Sequence, residues 1–253
     1  MRARVFALAA ALLFAGAAGG RAAVTPPPVL FYGDSLLNLS KGALQVATGN
    51  YPNAANARIR PIVNAYPGSA LCQWVPQMDR DITSSHARAL VVAFVGNAYA
   101  PCVGGSSGHV NPDRDSAAPT SIVSRYRASL QQVVAVAKRR GIRLYVVGPI
   151  QTPWAHVPAG QLPWDNTRLD AVYREVVQAS GGTAVYEPTA ISQLTPGLVW
   201  AARRPCVPGE AGCSGGTVQV RPAADPLHLT SPAGTLRYAV GVSALVCAQV
   251  GVR

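Results

Sequence analysis

Residues 89–95, Ala-Leu-Val-Val-Ala-Phe-Val, form an unbroken apolar run with no polar position inside it. A strand with one wetted face alternates polar and apolar residues. A continuous apolar run of strand length belongs instead to a strand covered on both faces, as in a parallel sheet. Residues 29–32 and 144–147 are shorter apolar runs, 60–65 and 183–186 also read as strands, and most of these segments end in a turn containing Gly or Pro. Between them lie stretches with helical spacing. Residues 36–46 read as one helix. Residues 71–84 read as another, carrying Leu71, Trp74, Val75, Met78 and Ile82, with Pro76 expected in its first turn. Residues 121–140 place Ile122, Tyr126, Leu130, Val133, Val134 and Ala137 on one side and end at Gly141 as a C-cap. Residues 166–179 and 232–250 complete the set. Strands alternating with helices predict a five-stranded parallel sheet between two helical layers, a three-layer α/β/α sandwich. Residues 101–119 read as a long loop, and 188–226 as a Pro- and Gly-rich segment of weak periodicity.

Composition supports a packed domain. The chain is 49% hydrophobic and 13% charged, which excludes intrinsic disorder. Residues 1–22 read as a secretory signal peptide, with Arg2 and Arg4 ahead of a short apolar run and small residues near the cleavage point. The run is about 14 residues, short of the roughly 20 that span a bilayer. Residues 23–253 then form one domain. Loss of Arg2, Arg4 and Arg21 lowers the net charge from +11 to +8. The remaining arginines are scattered and lack interleaved aromatics, which argues against nucleic acid as a partner. Attraction to an anionic cell envelope and a merely solvated basic surface both fit this charge.

An exported chain with five cysteines is expected to hold disulfides. Cys206 and Cys213 enclose a short loop and suit a staple. Cys247 lies in an apolar C-terminal stretch and reads as a buried thiol. The spacings match no zinc site.

Ligands of open α/β sheets bind beyond the C-terminal ends of the strands. At that rim the sequence places Gly33-Asp34-Ser35-Leu36, then Gly68, then Gly96-Asn97, and, ahead of the last helix, Asp225-Pro226-Leu227-His228. A serine hydroxyl needs an adjacent base to act as a nucleophile. His228 can take the proton, and Asp225, three residues earlier, can orient the imidazole. The backbone N–H groups of Ser35 and Gly68 and the amide of Asn97 can face a developing oxyanion.

In these blocks the sequence resembles the SGNH hydrolases, also called GDSL esterases and lipases: Phe31-Tyr32-Gly33-Asp34-Ser35-Leu36-Leu37, Gly68, Gly96-Asn97-Ala98 and Asp225-Pro226-Leu227-His228-Leu229 stand in the family's order. The resemblance spans residues 29–245. It implies a flavodoxin-like sheet, Ser35 as nucleophile, His228 as base, Asp225 as its partner, and Ser35, Gly68 and Asn97 as the oxyanion hole. It implies no metal and no organic cofactor. Ala98-Tyr99 departs from the family, many of whose members carry Asp there, and residues 188–224 form an unusually long insertion that can serve as a lid or an extra wall. With the blocks placed, a Cys72–Cys102 bridge would tie together the two loops that bear oxyanion donors.

The resulting expectation is a secreted, monomeric serine esterase acting on short-chain acyl or acetyl esters of a small molecule or polysaccharide. An O-acyltransferase for envelope polysaccharide using the same triad, and a non-catalytic envelope-binding domain, remain open. Trp154 and Tyr99 can line a substrate pocket or simply pack. Arg203 and Arg204 can meet an anionic substrate or be solvated. His86, His109 and His156 stand alone and read as surface residues.

Overall fold

A computed structural model describes residues 25–49, 58–105, 121–152, 166–225 and 227–251. The leader at 1–22, and Trp154, His109 and His156, lie outside them. Five strands form the sheet: β1 (Pro28–Gly33), β2 (Arg60–Ala65), β3 (Ala89–Ala93), β4 (Arg143–Val147) and β5 (Ala184–Glu187). They are all parallel, in the order β2-β1-β3-β4-β5. This is the flavodoxin-like order, whose switch point lies between β1 and β3.

Alternate residues of each strand enter opposite cores, as the period of two requires. Leu30, Tyr32, Leu90, Val92, Leu144 and Val146 pack under Met78, Ile82, Tyr126, Leu130, Val133, Leu169 and Tyr173. These come from α3 (Leu71–Ser85), α4 (Ile122–Arg140) and α5 (Thr167–Gln178). Val29, Phe31, Val91, Ala93, Tyr145 and Val147 face the other core. It is closed by α1 (Ser35–Leu39), α2 (Lys41–Ala47), α6 (Thr189–Leu194) and α7 (Pro232–Val250). All five residues of β3 are buried, as its unbroken apolar run requires.

Three local expectations need correction. The helix expected over 36–46 is two helices. Ser40 stands between them at φ −92°, ψ 6°, and its N–H reaches back to the Leu36 and Leu37 carbonyls. That turn lets Leu44 follow Leu36 and Leu37 into the core. Pro76 sits in the second turn of α3, not the first. Its missing N–H leaves the Cys72 carbonyl without its usual helical donor. The segment 188–226 holds α6, a 3₁₀ turn (Pro196–Leu198) and an antiparallel hairpin of β6 (Arg203–Pro205) and β7 (Thr217–Gln219). Elements this short carry too little periodicity to be read from sequence.

The hairpin is pinned on several sides. Val218 and Val220 are buried in the core. A Cys206–Cys213 disulfide closes its loop. Glu210 in that loop forms a buried ion pair with Arg237 of α7 at 2.6 Å, and Arg237 also donates to the Pro205 carbonyl at 2.6 Å. Although α7 is long and apolar enough to cross a membrane, it packs as a core helix. Tyr238, Ala239, Val242 and Val246 are sealed within the domain.

Candidate active site

The parallel register sets the rim. Gly33, the last residue of β1, pairs with Ala65 of β2 and Ala93 of β3. Ser35, Gly68 and Asn97 therefore all leave the sheet within a few residues of one edge. Gly33 is required by close approach: a Cβ there would lie 2.6 Å from Leu37 Cβ and 2.8 Å from the Ala93 carbonyl oxygen. Its absence lets the chain turn sharply from β1 into α1 and leaves Ser35 as the first residue of the helix, half-buried at the surface.

Asp34 fixes this turn. One carboxylate oxygen accepts from the Leu36 N–H at 3.0 Å and caps α1; the other accepts from the Val95 N–H at 2.9 Å. The residue is fully buried, and burial pushes its carboxyl up to about 6 against the opposing pull of those two N–H groups and of His228. Desolvation thus outweighs hydrogen bonding here.

Asn97 follows β3. Its Oδ1 accepts from the Tyr99 N–H at 3.0 Å, which assigns Nδ2 as the end free to point toward a ligand. Tyr126 of α4 and Tyr173 of α5 hold the same segment by donating to the Asn97 and Phe94 carbonyls at 3.3 and 3.2 Å. A Cys72–Cys102 disulfide joins the start of α3 to the turn after Asn97, spanning the two loops that carry Gly68 and Asn97. Gly68 adopts φ +78°, a backbone region open to glycine. The next residue, Ser69, donates to the Gly33 carbonyl at 3.1 Å and so ties this loop to the end of β1.

The last pair arrives on the loop ahead of α7. His228 Nδ1 lies 2.9 and 3.1 Å from the two Asp225 carboxylate oxygens, and the His228 N–H donates to Asp225 Oδ1 at 3.2 Å. His228 Nε2 lies 3.2 Å from Ser35 Oγ. Ser35, His228 and Asp225 thus form one hydrogen-bonded series, partly open to solvent. Such a series can move a proton from a hydroxyl to an imidazole whose positive charge a carboxylate stabilises.

No family model and no curated relative matches the sequence. Solved structures do. A protein described as an acylhydrolase from Bacteroides fragilis has a TM-score of 0.53 at 14% identity, over 90% of this chain and 92% of its own. An acetyl xylan esterase has a TM-score of 0.51 at 12% identity, over 87% of this chain and 99% of its own. A GDSL-like lipase from Bacteroides thetaiotaomicron has a TM-score of 0.50 at 12% identity, over 87% of each chain. The fold is that of the SGNH hydrolases.

On this SGNH fold the four sequence blocks occupy the ends of β1, β2 and β3 and the loop before α7. Other expected residues fall elsewhere. His86 is the exposed C-cap of α3. Arg203 is engaged within its hairpin by Thr217. Tyr99 is half-buried, its N–H supporting Asn97. Among the described residues no group of three or more His, Cys, Asp or Glu side chains gathers to hold a metal. One residue of the site escapes sequence reasoning: Arg221, four positions before Asp225, is completely buried beneath the loop that carries His228. A charged residue in a Pro-rich segment reads as solvated, and no pattern in the sequence marks it otherwise.

Proposed function

We propose that the chain is an exported carboxylic ester hydrolase that works through an acyl-enzyme on Ser35. The observation that carries this reading is the 3.2 Å contact between Ser35 Oγ and His228 Nε2, with His228 Nδ1 held by Asp225. The relatives in fold include a lipase, an acylhydrolase and an acetyl xylan esterase, which supports an ester as substrate. The two disulfides fit an oxidising, extracytoplasmic compartment.

In this mechanism Ser35 Oγ attacks the ester carbonyl carbon as His228 Nε2 takes its proton. Asp225 holds the ring so that Nε2 is unprotonated before attack, and stabilises the imidazolium after it. The oxyanion is met by the N–H groups of Ser35 and Gly68 and by Asn97 Nδ2, with Ser35 N–H also at the start of α1. As the intermediate collapses, His228 returns the proton to the leaving alkoxide and the alcohol departs. Water then enters, His228 takes a proton from it, and the same steps in reverse release the acid. The favoured substrates are short acyl or acetyl esters.

Hydrolysis of a series of p-nitrophenyl esters from acetate to decanoate tests this. The expected result is turnover that falls with chain length and an alcohol burst preceding the steady state. No turnover of any ester by the folded protein overturns the reading.

A further inference from the structure

We propose that Arg221 is the positioning residue of the general base: it locks the loop carrying Asp225 and His228 to the chain that follows β4. This rests on reading Ser35, His228 and Asp225 as a hydrolytic triad.

The Asp225–His228 unit is bonded mainly to itself. Among the described residues both oxygens of the Asp225 carboxylate are taken by His228. Such a pair keeps its internal geometry wherever its loop lies, so the distance to Ser35 must be set from outside. Arg221 reaches that loop. Its Nη1 donates to the Leu227 carbonyl, one residue before His228, at 2.7 Å. Its Nη2 donates to the Gln151 carbonyl at 2.7 Å. One planar guanidinium therefore bridges two carbonyls with two charge-assisted bonds, which a single ammonium cannot do with the same geometry.

Both ends of this bridge are fixed. The Arg221 N–H donates to the Ala202 carbonyl at 3.1 Å, and Gln219 Nε2 donates to the Arg221 carbonyl at 3.2 Å. On the far side Gln151 Oε1 accepts from the Asn166 N–H at 3.0 Å, and Asn166 Nδ2 donates to the Ile150 carbonyl at 2.6 Å. The Gln151 N–H in turn donates to Thr195 Oγ1 at 3.3 Å. His228 is thereby referred to the β4 end of the sheet, while Asp34 refers Ser35 to β1 and β3.

Full burial of an arginine is rare and costs solvation, so such a residue must be matched by its surroundings. Here Leu227 and Gln151 supply the acceptors and Asp225 a nearby negative charge. Burial pulls the guanidinium down to about 10, which leaves it charged at neutral pH.

The test compares the full chain with Arg221→Lys and Arg221→Met. It measures thermal unfolding, hydrolysis of p-nitrophenyl acetate, and the low-field proton NMR signal of the His228 Nδ1–H bonded to Asp225. Misplacing the base should lower kcat of Arg221→Met roughly 100-fold with KM changed less than about twofold, and Arg221→Lys should recover about tenfold of that loss. The low-field signal should shift or broaden in both folded variants. A folded Arg221→Met with the wild-type signal and kcat would overturn the proposal. So would failure of both variants to fold, which would make Arg221 a determinant of the fold. If the wild type hydrolyses no ester, the hydrolase reading fails, and the proton signal alone decides whether Arg221 positions His228.

Discussion

Ser35 and His228 are separated by 193 positions, yet Oγ and Nε2 meet at 3.2 Å. One stands where the first strand turns into its helix. The other stands just before the last helix, and the sheet brings them together. Because the contact joins the two ends of the domain, small changes in either support are felt at the site.

The residues of the proposed triad give the largest expected effects. Ser35→Ala and His228→Ala should each lower kcat by roughly 10⁴-fold or more, and combining them should add little, since residues acting as a unit are not additive. Steady-state hydrolysis of p-nitrophenyl acetate checks this. Independent, multiplying effects would contradict a shared step.

The proposed oxyanion donors predict a smaller loss. Asn97→Ala removes Nδ2 and should lower kcat by about 10²–10³-fold with KM little changed. Gly68→Ala behaves differently. Space at the Cβ position is open, so the only barrier is the positive φ of +78°. Its expected cost is about 1 kcal/mol of stability, measured by urea denaturation, with the backbone donor retained.

Asp34 gives a pH dependence of unusual sign. Its folded-state value of about 6 lies above the ordinary 3.8, so between these values the native protein binds more protons than the unfolded chain. Stability due to this group therefore falls as pH rises through that window, by about 3 kcal/mol in all. Asp34→Asn removes the titration at a constant cost, because an amide cannot accept from both Leu36 and Val95. Denaturant stabilities of the two proteins from pH 4 to 7 should converge as pH rises. A gap widening in favour of wild type would mean that the carboxyl is lowered on folding.

The Cys72–Cys102 bridge closes a loop with a sequence separation of 30. Chain entropy alone gives it about 3–4 kcal/mol. Cys72→Ser with Cys102→Ser should lose about that much stability. It should also lower kcat, because the loops bearing Gly68 and Asn97 lose their link. Peptide mapping of the non-reduced protein checks the pairing, and a free Cys72 would contradict it.

Much of this was legible in the sequence, for identifiable reasons. Residues 60–65, which run into Tyr66-Pro67-Gly68, and residues 232–250 are expected as elements, and β2 and α7 have those bounds. The Cys72–Cys102 pair, the Cys206–Cys213 pair and the buried Cys247 also stand as expected. What was not legible depends on tertiary burial. Arg221 and Glu210 are charged residues of an irregular segment and Arg237 stands inside α7, and charge alone assigns all three to solvent. The side chain of each is under a tenth exposed, and each is held by partners distant in sequence. The break at Ser40 is likewise invisible to periodicity, since the apolar residues around it keep ordinary helical spacing.

The central claim is that Ser35 is an activated nucleophile. The most direct measurement exposes the purified protein to a fluorophosphonate and locates the adduct by mass spectrometry, with Ser35→Ala and His228→Ala alongside. The account predicts one covalent adduct on Ser35, absent in Ser35→Ala and formed far more slowly in His228→Ala. A folded wild type that forms no adduct, or forms it on another residue, would contradict it.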